Sequence, residues 1–199
     1  MMETGKTGKL LYFSLYATAE GIGGVVAGPE GLVEVLLPWS AATEQEFRAI
    51  IGRKHPTATG ENPVSREGAR QLAEYFAGYR ETFDVPIDWE PLSPFQRRIY
   101  AIVAAIPCGE VRSYAAVAEA AGAPRAARGV GRAMARNPLP IIIPCHRVVA
   151  ATGALTGYSA PGGVATKRQL LQKEHVSLDR GGCVMLQKKR RGSEGLCTT

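Results

Sequence analysis

The hydrophobic pattern of this chain changes its period near residue 91, and no other feature constrains the fold as strongly. In segment 10–16, "LLYFSLY", apolar residues alternate with others, as they do in a half-buried strand. After the change, Ser93 begins a helix whose apolar residues recur every three or four positions over 95–106. The sequence therefore predicts an α+β domain over residues 1–91 and a mainly helical domain over residues 92–178.

The first domain is predicted to be a three-stranded meander followed by two helices. Glycine and proline separate "LLYFSLY", "GGVVAG" and "GLVEVLLP", and these are the usual turn signals between short strands. The apolar face of the first strand carries Leu11, Phe13 and Leu15. Helices are expected near 41–52 and 66–78, the second with Ser65 as its N-cap. No group of side chains here suggests chemistry, so a supporting role is predicted.

The second domain begins with a strong helix signal and continues with a predicted helix-turn-helix. Ser93, Pro94 and Gln96 form a capping box with proline at the first helical position. Ser113 is predicted to cap "YAAVAEAA", which ends at Gly122, and a tight turn then leads to "RAARGVGRAMARN". Two short helices joined by a glycine-containing turn are typical of a helix-turn-helix.

The second of these helices is rich in arginine and in small residues. Its arginines are Arg125, Arg128, Arg132 and Arg136. Its two glycines cost roughly 1 kcal/mol each relative to alanine in a helix, so close approach of the backbone to a bulky anion is a reason to keep them. A solvated arginine face is the alternative, and it stays open.

The charge of the chain is unevenly distributed. The 199 residues include 24 Lys and Arg against 18 Asp and Glu, a net charge of +6. Residues 1–91 hold 8 basic and 13 acidic side chains, a net of −5, whereas residues 92–199 hold 16 and 5, a net of +11. This asymmetry favours a polyanion such as nucleic acid as the partner of the C-terminal part, although a solvated basic face has the same composition.

The four cysteines and three histidines are dispersed, without a CxxC pair or a tight Cys/His cluster. Neither a zinc site nor a disulfide framework is therefore expected, and no cofactor or metal is predicted. Cys108 is expected to pack just past a helix end. The chain also lacks an apolar run long enough for a membrane span and a secretory start, which predicts a reduced intracellular setting away from the membrane.

The segment "IIIPCHRVV" ends an apolar run at Pro144 and then places Cys145 beside His146. A thiol with a pKa of about 8.5 is a poor nucleophile at neutral pH unless a neighbouring base takes its proton. Glu174 closes the apolar stripe of "QLLQKE", which predicts an inward carboxylate able to orient an imidazole. Neighbours on a regular strand point to opposite faces, so a bend or a bridging water must connect thiol and imidazole. Taken alone, the dipeptide could also be incidental.

Other motifs surround this dipeptide in a fixed order. They are Ser113-Tyr114, "RAARGVG" at 125–131, Asn137-Pro138, the pentapeptide Pro-Cys-His-Arg-Val at 144–148, "GYS" at 157–159 and "LLQKE" at 170–174. In these residues the chain resembles the O6-alkylguanine-DNA alkyltransferases, also called methylated-DNA–protein-cysteine methyltransferases. The match covers about residues 92–176, and the pentapeptide is highly specific.

The resemblance implies a repair protein with a ribonuclease-H-like N-terminal domain and a winged-helix-like C-terminal domain that contains the helix-turn-helix. Such a protein flips O6-alkylguanine, chiefly O6-methylguanine, out of double-stranded DNA and transfers the alkyl group irreversibly to its own Cys145. Each molecule would act once, as a monomer, without cofactor or metal. The implied location is the cytoplasm and nucleoid of a prokaryote or the nucleus of a eukaryote, and activity on O4-alkylthymine is left open.

The resemblance also implies a role for each matched residue. Cys145 is the nucleophile and alkyl acceptor, and His146, Glu174 and a water form the relay that makes its thiolate. Asn137 braces the turn that carries the nucleophile, and Arg128 is the finger that fills the vacated base stack. The remaining implied contacts to DNA or to the base are Tyr114, Arg125, Ala126, Ala127, Arg132, Val148, Tyr158 and Ser159.

For several of these residues the resemblance implies a specific contact. One loop departs from the family pattern. Tyr114 would meet the rotated phosphate and the base, the carbonyls of Cys145 and Val148 would read the guanine amine, and Ser159 would donate to O6. Many members continue with a glycine-rich loop, whereas this chain has Ala160-Pro161. Proline stiffens the loop over the alkyl pocket, which puts tolerance of bulky alkyl groups in doubt.

The last segment, residues 179–199, lacks periodicity and is predicted to be a disordered basic tail. Its "KKRR" could add non-specific affinity for DNA, and its two cysteines have no predicted role.

Three rival functions remain open at this point. A binding-only relative of the alkyltransferases would lack the acceptor thiol, and Cys145 is present. A dimeric helix-turn-helix regulator would use Cys145 for packing or redox sensing and would not need Glu174 to face inward. A cysteine hydrolase would leave the basic helix without a purpose.

Overall fold

The N-terminal sheet is an antiparallel meander of three strands, as the turn signals predict. The computed structural model describes residues 9–39 and 43–185 of the chain. The strands are β1 (Tyr12–Thr18), β2 (Gly21–Ala27) and β3 (Leu32–Trp39), and they lie in the order β1-β2-β3. Because β2 is central, β1 and β3 each keep one edge for contacts with the rest of the chain.

The most buried face of β1 is not its apolar one. Ser14 and Tyr16 are almost fully buried, whereas the opposite, apolar face is half-buried. Helix α2 (Pro63–Phe76) packs on the first of these faces and supplies polar as well as aromatic partners. Ser14 Oγ lies 2.9 Å from Ser65 Oγ, and the Tyr16 ring stacks on Phe76 with 6.1 Å between centroids. A buried serine is tolerated here because its hydroxyl is paired.

Both helices of this part begin with a capping box. Thr43 caps α1 (Glu44–Lys54) by accepting a hydrogen bond from the third residue of the helix. The predicted N-cap of α2, Ser65, is wrong: Asn62 is the N-cap, and its side chain accepts from the Ser65 amide at 2.7 Å. Pro63 explains the earlier start, because its fixed φ suits the first helical position.

The C-terminal part is mainly helical, as predicted. Its helices are α3 (Pro94–Ala104), α4 (Tyr114–Ala120), α5 (Ala127–Ala135) and α6 (Val164–Lys173). Two short strands, β4 (Arg112–Ser113) and β5 (Val148–Val149), pair in parallel. The capping residues Ser93 and Ser113 are confirmed, and α4 packs on α5 as the helix-turn-helix pattern predicts. Within the described residues, no helix is long and apolar enough to cross a membrane.

Hydrogen bonds and a shared core join the N-terminal and C-terminal parts. The Val35 amide, on the edge of β3, donates to the Pro138 carbonyl at 2.8 Å. Lys173 Nζ, at the end of α6, donates to the Phe76 carbonyl at 2.6 Å. One buried hydrophobic cluster contains residues from both parts, including Phe76 and Leu170. The N-terminal part therefore holds the loop after α5 and the end of α6 in place.

The segment after α6 is ordered for several residues beyond the predicted start of the tail. Leu178 and Val184 form an antiparallel bridge, and the Val184 amide donates to the Gly153 carbonyl at 2.9 Å. The Asp179 side chain accepts from the Cys183 amide at 2.9 Å and closes the turn. Disorder from residue 179 is therefore wrong for 179–185, and the rest of the predicted tail lies outside the described residues.

Candidate active site

A braced turn leads into Cys145. Asn137 Nδ2 donates to the Ile143 carbonyl at 2.7 Å, and Asn137 Oδ1 accepts from the Leu139 amide at 3.0 Å. Ile141 lies inside this turn with φ of 75°, in the left-handed region that β-branched residues rarely adopt. Such a conformation costs on the order of 1–3 kcal/mol and persists only where the surroundings impose it. The two Asn137 bonds and the burial of Ile141, which is 1% exposed, impose it here.

Cys145 begins a short 3-10 turn, Cys145–Arg147, and is only 5% exposed. Burial raises the pKa of its thiol, and the Asn137 side chain, the Lys167 charge and Tyr158 offset the rise only in part. The Tyr158 hydroxyl lies close enough to affect the thiol, yet it is buried and has no partner of normal hydrogen-bond geometry in the described chain. Cys145 is therefore a neutral thiol at rest and needs a base to react.

The carboxylate of Glu174 lies behind this turn and accepts four hydrogen bonds. Oε1 accepts from His146 Nε2, from the Tyr75 hydroxyl and from an Arg147 terminal nitrogen, each at 2.8 Å. Oε2 accepts from Arg147 Nε at 2.7 Å. Burial would raise the pKa of Glu174, but the bonds from His146 and Arg147 outweigh it and lower the pKa to about 2. Glu174 is thus ionised, as the sequence prediction of an inward, partnered carboxylate requires.

The protonation of His146 follows from these contacts. A carboxylate only accepts hydrogen bonds, so Nε2 of His146 carries the proton that points at Glu174. Burial lowers the pKa of His146, and Glu174 offsets this only in part, so the ring is neutral. Its Nδ1 is then an acceptor, and it is buried without a hydrogen-bond partner among the described residues. The free acceptor is the atom that a proton from Cys145 would reach.

The end of α6 fixes the position of Glu174. The helix closes in a Schellman motif: the Val176 amide donates to the Leu171 carbonyl at 2.9 Å and the His175 amide to the Gln172 carbonyl at 3.0 Å. His175 takes the left-handed conformation that ends such helices, with φ of 60°. Glu174 is therefore the C-cap, and its side chain leaves the helix toward the 3-10 turn.

Lys167 belongs to the site, although sequence reasoning gave it no role. It is fully buried and donates through Nζ to the Val148 carbonyl at 2.6 Å and to the Thr156 carbonyl at 3.5 Å. Burial lowers the pKa of Lys167 to about 8, a shift that a thiolate at Cys145 would partly oppose. The signal that could have found it is its spacing of seven residues from Glu174, which puts both on one side of α6.

A cavity of about 690 Å³ opens beside Cys145. Its lining includes Tyr114, Ala127, Arg128, Gly131, Met134, Cys145, Thr156, Tyr158 and Ser159. The structure thus brings six of the predicted residues to one cavity, together with the small-residue face of α5. Tyr114 does not point freely into it, because its hydroxyl donates to the Thr156 carbonyl at 3.2 Å. The volume is ample for a purine base with a small substituent.

Four other predicted contact residues lie outside this lining. Arg125 and Ala126 precede α5, so the prediction that Arg125 lies on the helix is wrong; Ala126 is its N-cap. Arg132 lies on α5 and is exposed. Val148 is fully buried, and its carbonyl already accepts from Lys167. A carbonyl has two lone pairs, so it retains one acceptor position.

The exposed arginines of this region carry free charge. Arg125, Arg128, Arg132 and Arg136 are all exposed. None of them forms a hydrogen bond or an ion pair with any other residue that the structure describes. Arg128 also lines the cavity, and four uncompensated cations within twelve residues of the chain are complementary to a polyanion.

Comparison with known proteins places the chain in a family. It is 49% identical over 131 residues to a methylated-DNA–protein-cysteine methyltransferase of Mycolicibacterium paratuberculosis, covering 64% of this chain and 78% of the relative. The chain belongs to this family. The constitutive methyltransferase of Bacillus subtilis is 47% identical over 117 residues, 59% of this chain and 70% of the relative. Residues 94–176 of the present chain match the family described as "6-O-methylguanine DNA methyltransferase, DNA binding domain".

Solved structures of relatives extend the likeness to the N-terminal part of the methyltransferase. The crystal structure of Mycobacterium tuberculosis O6-methylguanine methyltransferase superposes with a TM-score of 0.65 at 35% identity, covering 82% of this chain and 92% of that one. The same bacterium's protein in complex with DNA gives a TM-score of 0.66 at 34% identity, with coverage of 82% and 93%. The predicted family and the mixed α/β architecture with a small sheet are therefore confirmed.

Proposed function

We propose that this methyltransferase repairs O6-alkylguanine in double-stranded DNA by moving the alkyl group to its own Cys145. The observation that carries the proposal is that two successive residues of the 3-10 turn point in different directions. Cys145 lines the cavity, whereas its neighbour His146 turns away to Glu174 and keeps Nδ1 free. A nucleophile, a base and an orienting carboxylate thus follow one another.

The chemistry begins with the proton of the thiol. His146 accepts it at Nδ1 through a bridging water, and Glu174 stabilises the imidazolium. The thiolate attacks the carbon bound to O6, so that an S–C bond forms while the C–O6 bond breaks. The electron pair of the broken C–O6 bond stays with the guanine, which takes up a proton and leaves as the normal base. Because burial keeps Cys145 and His146 neutral at rest, the thiolate forms only as the reaction proceeds.

The surface around the cavity explains how the base arrives. O6 of guanine is inaccessible inside a duplex, so the nucleotide must leave the stack. Arg128, exposed at the cavity mouth on α5, fills the space that the base vacates. Arg125, Arg132 and Arg136 contact phosphates, and the small residues Ala126 and Ala127 let the DNA backbone approach closely. Tyr114, Tyr158 and Ser159 contact the extruded nucleotide, and the Val148 carbonyl accepts from its amine.

We extend the proposal to the organisation of the chain. Residues 1–91 form a ribonuclease-H-like unit, supported by the meander and α2, and residues 92–178 form a winged-helix-like unit, supported by α4, α5 and the β4–β5 pair. The protein acts as a monomer where the genome is: in the nucleoid of a prokaryotic cytoplasm or in the nucleus of a eukaryote.

The test is a count of turnovers. A thioether is stable, and among the described residues that line the cavity none is placed to remove an alkyl group from it. With excess duplex containing O6-methylguanine, each molecule should repair one base and stop, and the Cys145 peptide should gain the mass of one CH2 group. The variant Cys145→Ala should repair nothing, whereas Cys108→Ala, which removes a half-buried thiol elsewhere, should behave as wild type. Multiple turnovers, or modification of another cysteine, would contradict the proposal.

A further inference from the structure

Donors from two distant parts of the chain meet at the Glu174 carboxylate. His146 and Arg147, neighbours in the 3-10 turn, supply three of the four hydrogen bonds. The fourth comes from the hydroxyl of Tyr75, on α2 of the N-terminal part, at 2.8 Å from Oε1. An ionised carboxylate has about four lone-pair positions, two on each oxygen. Oε1 takes three of these donors and Oε2 takes one, and Tyr75 is the donor that comes from the N-terminal part.

The Tyr75 contact is anchored on both sides. Its side chain is 3% exposed, and its ring packs edge-on against Phe76 with 5.3 Å between centroids. The Phe76 carbonyl accepts from Lys173 Nζ at 2.6 Å, one residue before Glu174. The end of α2 is therefore held to the end of α6 at two successive residues on each helix, which points the hydroxyl at the carboxylate.

We infer that Tyr75 is a positioning residue of the proton relay, through which the N-terminal part fixes the carboxylate that orients His146. The inference rests on the proposed alkyl transfer. Tyr75 is absent from the lining of the cavity beside Cys145, so it acts through Glu174 and does not touch the substrate. The N-terminal part then has a share in the chemistry beyond support.

The direction of the effect follows from the oxygen that Tyr75 uses. Tyr75 and His146 donate to the same atom, Oε1, so loss of the hydroxyl acts on the His146 contact directly. Arg147 contacts both carboxylate oxygens, whereas His146 contacts only Oε1, so without the Tyr75 hydroxyl the carboxylate follows the guanidinium more closely. This movement draws Oε1 away from His146 and weakens the support for an imidazolium. The Cys145 thiolate then forms at higher pH.

The test compares Tyr75→Phe with two matched variants in the full chain. Tyr100→Phe removes a buried hydroxyl that donates to the Ala133 carbonyl at 2.8 Å. Tyr16→Phe removes a buried hydroxyl that donates to the Leu36 carbonyl at 3.1 Å. All three keep the ring, so their melting temperatures show whether the fold is retained. Each variant is then treated with iodoacetamide in the absence of DNA over a range of pH. Mass spectrometry of the Cys145 peptide gives the pH midpoint at which the thiol becomes reactive.

We expect the midpoint to rise by about one pH unit in Tyr75→Phe, with about tenfold slower transfer from duplex DNA, the size typical of a hydrogen bond to a charged group. Neither control should move the midpoint. The imidazole N–H proton resonance of His146 should shift only in Tyr75→Phe, which gives a second readout. A midpoint equal to that of the controls would show that Tyr75 only packs in the core. A midpoint below that of the wild type would show that the hydroxyl hinders formation of the Cys145 thiolate. Either result would overturn the inference. Failure of the wild type to transfer an alkyl group would instead refute the proposed function.

Discussion

His146 and Arg147 follow each other in the chain, yet both donate hydrogen bonds to the carboxylate of Glu174. On a regular strand the two side chains would point to opposite faces. The 3-10 turn brings them to one side, so a single carboxylate both balances a buried guanidinium and orients the imidazole. Stability and reactivity are therefore linked at Glu174.

Glu174 should make the stability of the fold depend on pH in the acid range. Its pKa is about 2 in the fold, below the ordinary value of 4.5 for a glutamate. Since the folded pKa is the lower one, its contribution is complete above the unfolded pKa and is lost as the pH falls toward the folded one. We expect up to about 3 kcal/mol of unfolding free energy to disappear over this window, measured by urea unfolding. Glu67→Gln is the control: its pKa is also about 2, but solvent screens its pair with Arg70, and the variant should follow the wild-type curve.

Glu174→Gln should slow alkyl transfer by about a hundredfold or more, because a neutral amide cannot stabilise an imidazolium. Affinity for the alkylated duplex should stay unchanged, since Glu174 lies behind the turn and away from the cavity. The variant should also lose about 3 kcal/mol of stability, because Arg147 keeps a buried charge without its partner. Single-turnover kinetics and duplex binding check both points, and a wild-type rate would remove Glu174 from the relay.

Arg128→Ala should affect extrusion of the base and leave the chemistry alone. Transfer from duplex DNA should fall by about tenfold or more, while transfer from the free base O6-methylguanine, which needs no flipping, should be unaffected. Arg132→Ala is the matched control on the same helix: it should weaken duplex binding uniformly and lower the salt dependence by about one counterion. Equal loss of rate on both substrates in Arg128→Ala would contradict the finger role.

Lys167 should make the fold more stable at alkaline pH. Its folded pKa, about 8, lies below the ordinary value of 10.5 for a lysine, so the folded state favours the neutral amine. Stability therefore rises as the pH passes from the folded to the unfolded pKa, by up to about 3 kcal/mol. The variant Lys167→Met should lack this rise, whereas Lys173→Met, which removes a more exposed lysine that also donates to a carbonyl, should keep it. Melting temperatures across this range measure the difference.

The local features of the site could be predicted from sequence, because they depend on neighbouring residues. The capping box at Ser93 and the pair of short helices after Ser113 both depend on short-range patterns. The contact between His146 and Glu174 could be predicted because the spacing of Glu174 from Leu170 and Leu171 indicates an inward carboxylate, and a buried carboxylate needs a partner.

The contacts that join distant segments could not be predicted. Tyr75 reads as an ordinary core residue of an amphipathic helix, and nothing in its neighbourhood indicates a partner 99 positions away. Lys167 reads as a solvated lysine, because burial of an unpaired amine is rare and depends on carbonyls that other segments supply. The burial of the polar face of β1 could not be predicted for the same reason, since Ser14 is buried only because α2 brings Ser65 to it.

The left-handed Ile141 closes the usual route to a more stable protein. Glycine at this position would remove a conformational cost of about 1–3 kcal/mol. It would also delete a side chain that is 1% exposed, and emptying a buried aliphatic site costs about 2–5 kcal/mol. The strained turn is therefore the less costly arrangement, and an engineer who wants a more durable protein must leave this residue, four positions before Cys145, as it is.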